Sequence, residues 1–328
     1  MAITVGDPIG PALTRTELVL FKPFKLRRWL VLAVGPALML VGEGLSPLVD
    51  IAMERVIRNP PKMTLDEAAN WIQAHTPGLI WGMIGLVVVA FPVYLWIRWV
   101  NARGHFIFFD NLVRNDARVQ VPWREFRELG NSLMKLRVGW DLVLFNVFLV
   151  MAVVAACLEW PDFRQWLVTN EFHATGWTKA AILFLAAGTA LFCIAWWVAS
   201  SVVFHLAIPV MYARRMPARP ALKVAWREIF LRHKGACLKY FLVLLVLTAV
   251  GGAVAEIGMV IIAIATLCLG CAAALLPIVG NYTPALAALP ATAFVTSYQL
   301  CFLQQFGPEY VLPWSSPAPN DNPGGNPA

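Results

Sequence analysis

Apolar residues in this chain gather into long runs. A helix needs about twenty apolar residues to cross a bilayer core. Within lipid the backbone finds no water for its hydrogen bonds, so such runs predict helices. The pattern predicts an all-α fold, a polytopic transmembrane helical bundle with six spans at about 29–49, 79–100, 140–158, 180–212, 237–262 and 284–306. The fourth span is expected to run on to Tyr212 with a kink at Pro209. The stretch Tyr240–Phe302 is the least determined, since Glu256 is its one formal charge. It reads as two spans joined by a re-entrant or interfacial LCLGCAAALLPIVGNY, or as three short spans. Two are preferred.

Polar, basic segments separate the runs. The first, LTRTELVLFKPFKLRR, predicts a short interfacial helix with Leu13, Leu20 and Phe21 on one face and an interruption at Pro23. The second, Asn101–Gly139, carries an amphipathic helix over Pro122–Arg137. Its Trp123, Phe126, Leu129, Leu133 and Leu136 recur at helical steps, while Arg124, Glu125, Arg127 and Glu128 face water. The third is Arg214–Lys239. Residues 1–12 are expected to be flexible, 13–310 to form one transmembrane domain, and 311–328 to be a disordered tail rich in Pro, Gly and Asn.

Lys and Arg are unevenly shared. Segments 1–28, 98–139 and 214–239 hold five, eight and eight of the 26, and segments 50–77 and 159–179 hold three and two. The positive-inside rule then puts the N-terminus in the cytoplasm, and six spans put the C-terminus there too. Trp160, Trp166 and Trp177 mark an outer aromatic belt, and Thr64 with Glu67 forms a capping-box pattern in the other outer loop. No cleavable leader is expected, because the first apolar run begins only at Trp29.

An internal repeat adds to this picture. Val121-Pro122-Trp123-Arg124-Glu125-Phe126 returns 103 residues later as Val224-Ala225-Trp226-Arg227-Glu228-Ile229. Each copy opens an amphipathic helix that leads into a span. The chain therefore parses as three helix-hairpin units, each preceded by a cytosolic interfacial helix.

Composition agrees. The chain is 59% hydrophobic and 14% charged, with a mean hydropathy of +0.66, too apolar for a soluble domain. The net charge of +7 lies in turns between apolar runs, which fits anionic lipid headgroups at the cytosolic face and excludes a nucleic-acid role. The six cysteines lie in or beside apolar runs, so no disulfide framework is expected.

Candidate chemistry is sparse. Cys268 and Cys271 have CxxC spacing, but a single pair in an apolar run favours helix packing over metal. Glu43 and Glu256 are the deeper carboxylates and the candidates for proton or cation coupling. His205 sits four residues before Pro209. Asp110, Asn111 and Arg114, with Asn115, Arg103 and Arg118, either lock an elbow or meet a headgroup, the first being favoured. Trp123 and Arg124 complete the candidate set as members of the repeated motif. No nucleophile–base arrangement or phosphate loop is present, so no catalytic residue, cofactor or metal is assigned and no enzyme is expected.

The stretches FDNLVRNDARVQVPWREFRELGNSL (Phe109–Leu133) and FGPEY (Phe306–Tyr310) resemble an uncharacterised bacterial membrane family. Its members look like six-helix proteins related to the membrane domain attached to some glycerophosphodiester phosphodiesterases. The resemblance covers residues 14–310 and implies a place in the bacterial cytoplasmic membrane. It transfers no catalytic residue. The expected function is a non-catalytic scaffold or accessory in envelope or lipid handling. The alternative is a transporter or lipid-translocating protein with a cavity at the repeat axis.

Overall fold

The computed structural model describes residues 3–41, 54–55, 58, 65–169, 176–265 and 279–314. All regular structure among them is helical: α1 (Ile9–Leu20), α2 (Leu26–Met39), α3 (Leu65–Arg114), α4 (Gln120–Glu125), α5 (Arg127–Thr169), α6 (Gly176–Val202), α7 (Ile208–Arg214), α8 (Ala218–Val224), α9 (Lys234–Ala265), α10 (Val279–Ala287) and α11 (Leu289–Leu303), with short 3₁₀ and π segments. Two compact units result. The first takes Met1–Pro47, Ile97–Met134 and Ser201–Ala328, and the second takes Leu48–Trp96 and Lys135–Ser200.

Four stretches among the described residues are long and apolar enough to cross a membrane: Ala74–Arg114, Arg127–Ala155, Leu183–Arg214 and Lys234–Ile264. Six were expected; the last does not qualify, and the first is described only as far as Val41. In the first, α2 ends at Met39 after 14 residues. In place of the last stand α10 and α11, of 9 and 15 residues, with a break at Ala288. Pro290 cannot donate to a preceding turn, so it suits the first turn of a new helix. The apolar residues of these short helices pack against protein. In the first unit α1 lies on α11, α2 on α10, and α9 on both α10 and α11. Val19, Leu20, Leu32, Ala33, Phe108, Leu112, Leu289 and Ala293 form a shared core.

The buried face of α1 is Ala12, Arg15, Thr16, Val19 and Leu20, at helical spacing. Leu13 and Phe21, expected beside Leu20, are exposed instead. Where α2 crosses α3, backbones come close at two glycines. A Cβ on Gly104 would stand 2.9 Å from the Gly35 carbonyl oxygen, Leu38 Cβ and Met39 N. One on Gly35 would stand 2.8 Å from Phe108 Cβ. Small residues are what permit this approach. Asn101 Nδ2 donates to the Met39 carbonyl at the end of α2.

The amphipathic helix expected over Pro122–Arg137 is not a separate element. The short α4 stops at Phe126, and α5 then runs 43 residues without a break. The second copy of the repeated motif folds differently, as a π segment over Ala225–Phe230. Both copies bury equivalent positions, Pro122 with Ala225 and Phe126 with Ile229.

The kink expected at Pro209 takes the form of a π segment over Val203–Ala207. Proline deprives the carbonyl four residues earlier of its helical donor. That carbonyl belongs to His205, and Tyr240 Oη donates to it at 3.4 Å. Tyr240 is fully buried and stacks on Phe302, with ring centroids 4.1 Å apart.

The second unit is largely apolar. Trp140 stacks on Trp196 at 4.5 Å and donates through Nε1 to Ser200 Oγ at 3.2 Å. Phe148 meets Phe192 edge to face. Tyr94 Oη donates to Asp141 Oδ2 at 2.6 Å. Around these contacts stand exposed apolar side chains, among them Trp81, Leu86, Val143, Phe145, Leu183 and Phe184.

Candidate functional site

The polar centre of the first unit is built on the end of α3. Along this helix large apolar side chains are exposed up to Trp96, and burial sets in by Val100. The helix ends at Asn115, whose φ of 54° is left-handed. Asparagine tolerates that conformation better than most residues. The Asp116 N–H then bonds back to the Asn111 carbonyl at 3.2 Å, the six-to-one bond of a Schellman motif.

Two arginines take up further carbonyls at this end. Arg15, from α1, donates through Nε and Nη2 to the Leu112 carbonyl at 3.0 and 2.7 Å, and through Nη2 to Val113 at 2.7 Å. Arg28, from α2, donates to the Asn115 carbonyl at 3.0 Å and to its Oδ1. Cations at a helix C-terminus also complement its dipole. Arg15 is buried, with Trp314 stacked 5.0 Å from its guanidinium. Burial and, after it, the nearby Arg28 push its pKa down to about 10, so it stays charged at neutral pH. Asn111 Oδ1 accepts the Arg118 N–H at 3.2 Å, while its buried Nδ2 has no hydrogen-bond partner.

A chain of charges runs out from Asp110. Arg114 Nε lies 2.9 Å from Asp110 Oδ1, and Tyr212 Oη donates to the same oxygen at 3.1 Å. Arg114 Nη2 reaches both Glu125 oxygens at 2.8 and 3.0 Å. Arg215 Nη2 reaches Glu125 Oε1 at 2.9 Å, with its guanidinium 4.2 Å over the Phe126 ring. Two carboxylates thus meet two arginines. The FGPEY stretch joins here through Tyr310, which is buried and whose Oη accepts from Arg214 Nη1 at 3.5 Å. The two stretches that carry the family resemblance therefore belong to one packed unit.

Beside this balanced network lies an unbalanced one. A cleft of about 640 Å³ is lined by Trp99, Arg103, Trp123, Arg124, Arg127 and Asn131. Arg103 packs against two indoles on adjacent sides, 4.1 Å from the Trp99 ring centroid and 4.8 Å from that of Trp123. The indoles meet edge to face at 5.5 Å. Asn131 Oδ1 accepts from Trp99 Nε1 at 3.1 Å and from Arg103 Nη2 at 3.4 Å. The stem of Arg103 passes over Gly130, where a Cβ would stand 2.9 Å from its Cγ.

Of the candidates read from sequence, Asp110, Asn111 and Arg114 come together at the elbow, and Trp123 and Arg124 line the cleft. His205 lies apart from both, with Gln299 Nε2 donating to its Nδ1 at 3.0 Å. Glu256 is exposed on α9. Glu43, Cys268 and Cys271 fall outside the described residues. Sequence reasoning missed Arg15, Tyr212 and Arg215, whose partners are remote in the chain. It also passed over Arg127 and Asn131, although Trp99/Arg103 and Arg127/Asn131 are both four apart and so share helix faces. Among the described residues no group of three or more His, Cys, Asp or Glu is placed to hold a metal ion.

Fold and site together define an all-helical protein with four helices compatible with crossing a membrane. The chain belongs to a family of unknown function, DUF7544, whose model matches residues 4–313. No curated protein and no solved structure matches it.

Proposed function

We propose that this is an integral protein of the bacterial cytoplasmic membrane, a non-catalytic scaffold or accessory in lipid or envelope handling. One observation carries the reading. Large apolar side chains are exposed in rows along α3, α5, α6 and α9, while the ends of α3 and α5 carry a dense polar and basic assembly. A soluble monomer rarely leaves apolar patches of this extent uncovered, and lipid is the natural cover. The basic assembly lies in the segment richest in Arg, which the positive-inside rule assigns to the cytoplasm. Its partners in this reading are anionic headgroups of that leaflet.

The finer reading, a duplicated unit that opens at Val121 and again at Val224, draws support from the equivalent burial of Pro122 and Ala225 and of Phe126 and Ile229. The test is the lipid the protein keeps. After purification from bacterial membranes in mild detergent, retained phospholipid is measured by mass spectrometry. Enrichment of anionic over zwitterionic lipid, relative to the host membrane, supports the reading. A retained composition equal to that of the host contradicts it.

A further inference from the structure

We propose that the cleft around Arg103 binds the phosphate of an anionic phospholipid, an inference that rests on the membrane reading above. Arg103 is only 5% exposed, yet its buried Nε has no hydrogen-bond partner and its Nη2 has only the 3.4 Å bond to Asn131. The neighbouring arginines have oxygen partners on the protein, although the buried Arg28 Nε is likewise without one. Arg15 and Arg28 donate to helix-end carbonyls, and Arg114 and Arg215 share Glu125. No residue lining the cleft is a carboxylate, while Arg124 and Arg127 add two exposed cations. Three guanidinium groups therefore converge on an open space without a protein counter-ion.

The geometry selects the kind of anion. Trp99 and Trp123 turn their ring faces to the guanidinium from adjacent sides, and an arginine N–H edge suits a planar or tetrahedral oxyanion. Arginine meets phosphate with two parallel hydrogen bonds. Gly130 keeps the approach open, since a larger residue would collide with the Arg103 stem. The source of the phosphate follows from position. Trp99 and Arg103 lie within two helical turns of Trp96, the last large exposed apolar side chain of this part of α3. Tryptophan and arginine at that depth match the headgroup level of a leaflet. A choline or ethanolamine cation would be repelled by Arg124 and Arg127, so phosphatidic acid and phosphatidylglycerol are the preferred classes.

The experiment uses the full chain in detergent. Binding of dioctanoyl phosphatidic acid, dioctanoyl phosphatidylglycerol, dioctanoyl phosphatidylcholine, glycerol 3-phosphate and inorganic phosphate is measured by thermophoresis. The first two are expected to bind, R103Q to weaken them about tenfold, and phosphatidylcholine to bind weakly with no response to R103Q. Should R103Q fail to fold, the surface pair R124Q/R127Q replaces it, with an expected loss of about threefold or more. Equal binding of phosphatidic acid and phosphatidylcholine overturns the proposal, as does binding that neither variant changes. Inorganic phosphate or glycerol 3-phosphate binding as tightly as phosphatidic acid overturns the lipid source. If the protein keeps anionic lipid on purification but the cleft variants leave that lipid unchanged, this inference fails while the broader reading stands. If it keeps none, the broader reading fails.

Discussion

Replacing Arg15 with Met tests how the end of α3 is held. The methionine keeps an unbranched apolar stem on the buried face of α1 but removes every donor. The Leu112 and Val113 carbonyls lose a donor that reaches them at 2.7–3.0 Å from a buried group. Hydrogen bonds to a charged group contribute about 1.5–3 kcal/mol each, and a buried acceptor left without one costs about 1–3 kcal/mol. Against this, removing the guanidinium also removes its desolvation penalty, several kcal/mol in the interior. The lost contact with Trp314 adds about 0.5–1 kcal/mol. The expected net loss is about 2–4 kcal/mol. At roughly 2–4 °C per kcal/mol, thermal unfolding in detergent micelles should fall by about 5–15 °C. Arg15→Lys keeps the charge but cannot fork to two carbonyls, so it should fall between the two. An Arg15→Met protein that unfolds within about 1 °C of wild type would refute the capping argument.

Other substitutions probe separate parts of the account. Gly104→Ala already sets a Cβ 2.9 Å from the α2 backbone and should cost about 1–3 kcal/mol, read as a lower unfolding temperature, and Gly104→Leu should cost more. Asp110→Asn leaves Arg114 without its buried partner and should cost about 1–3 kcal/mol, whereas Glu125→Gln, in a more exposed pair, should cost less than about 1 kcal/mol and only at low salt. Tyr240→Phe removes the donor to the His205 carbonyl freed by Pro209 and should lower stability by about 0.5–1.5 kcal/mol in the same assay.

The helices were legible because apolar runs of this length have no other stable form in lipid. Four of the six expected spans correspond to long apolar helices for that reason. The last was misread, and the described part of the first packs in the same way, because hydropathy does not say what covers an apolar surface. Leu32, Ala33, Leu289 and Ala293 meet other side chains. The nearby Pro36, Pro284 and Pro290 carried the warning, since none can donate within a helix. At the site, the local pair Asp110–Arg114 was readable from its four-residue spacing. Arg15 was not, because its carbonyl partners lie 97 and 98 residues away and backbone acceptors leave no mark on composition. The continuity of α5 was hidden by Pro122 and the polar run after it, which look like a complete interfacial helix. In the structure that run is the first part of one long helix, with Arg137 buried.

Orientation and membrane residence underlie every functional statement above, and site-directed labelling tests both. Single cysteines are introduced at Arg118, at the elbow, and at Lys179, near the start of α6, in a background with the six native cysteines replaced by alanine. Both positions are exposed, so a membrane-impermeant maleimide can reach either from the side it faces. In intact bacterial cells Lys179→Cys should label and Arg118→Cys should not, and permeabilisation should make Arg118→Cys label fully. Labelling of Arg118→Cys in intact cells, with Lys179→Cys protected until permeabilisation, would contradict the account.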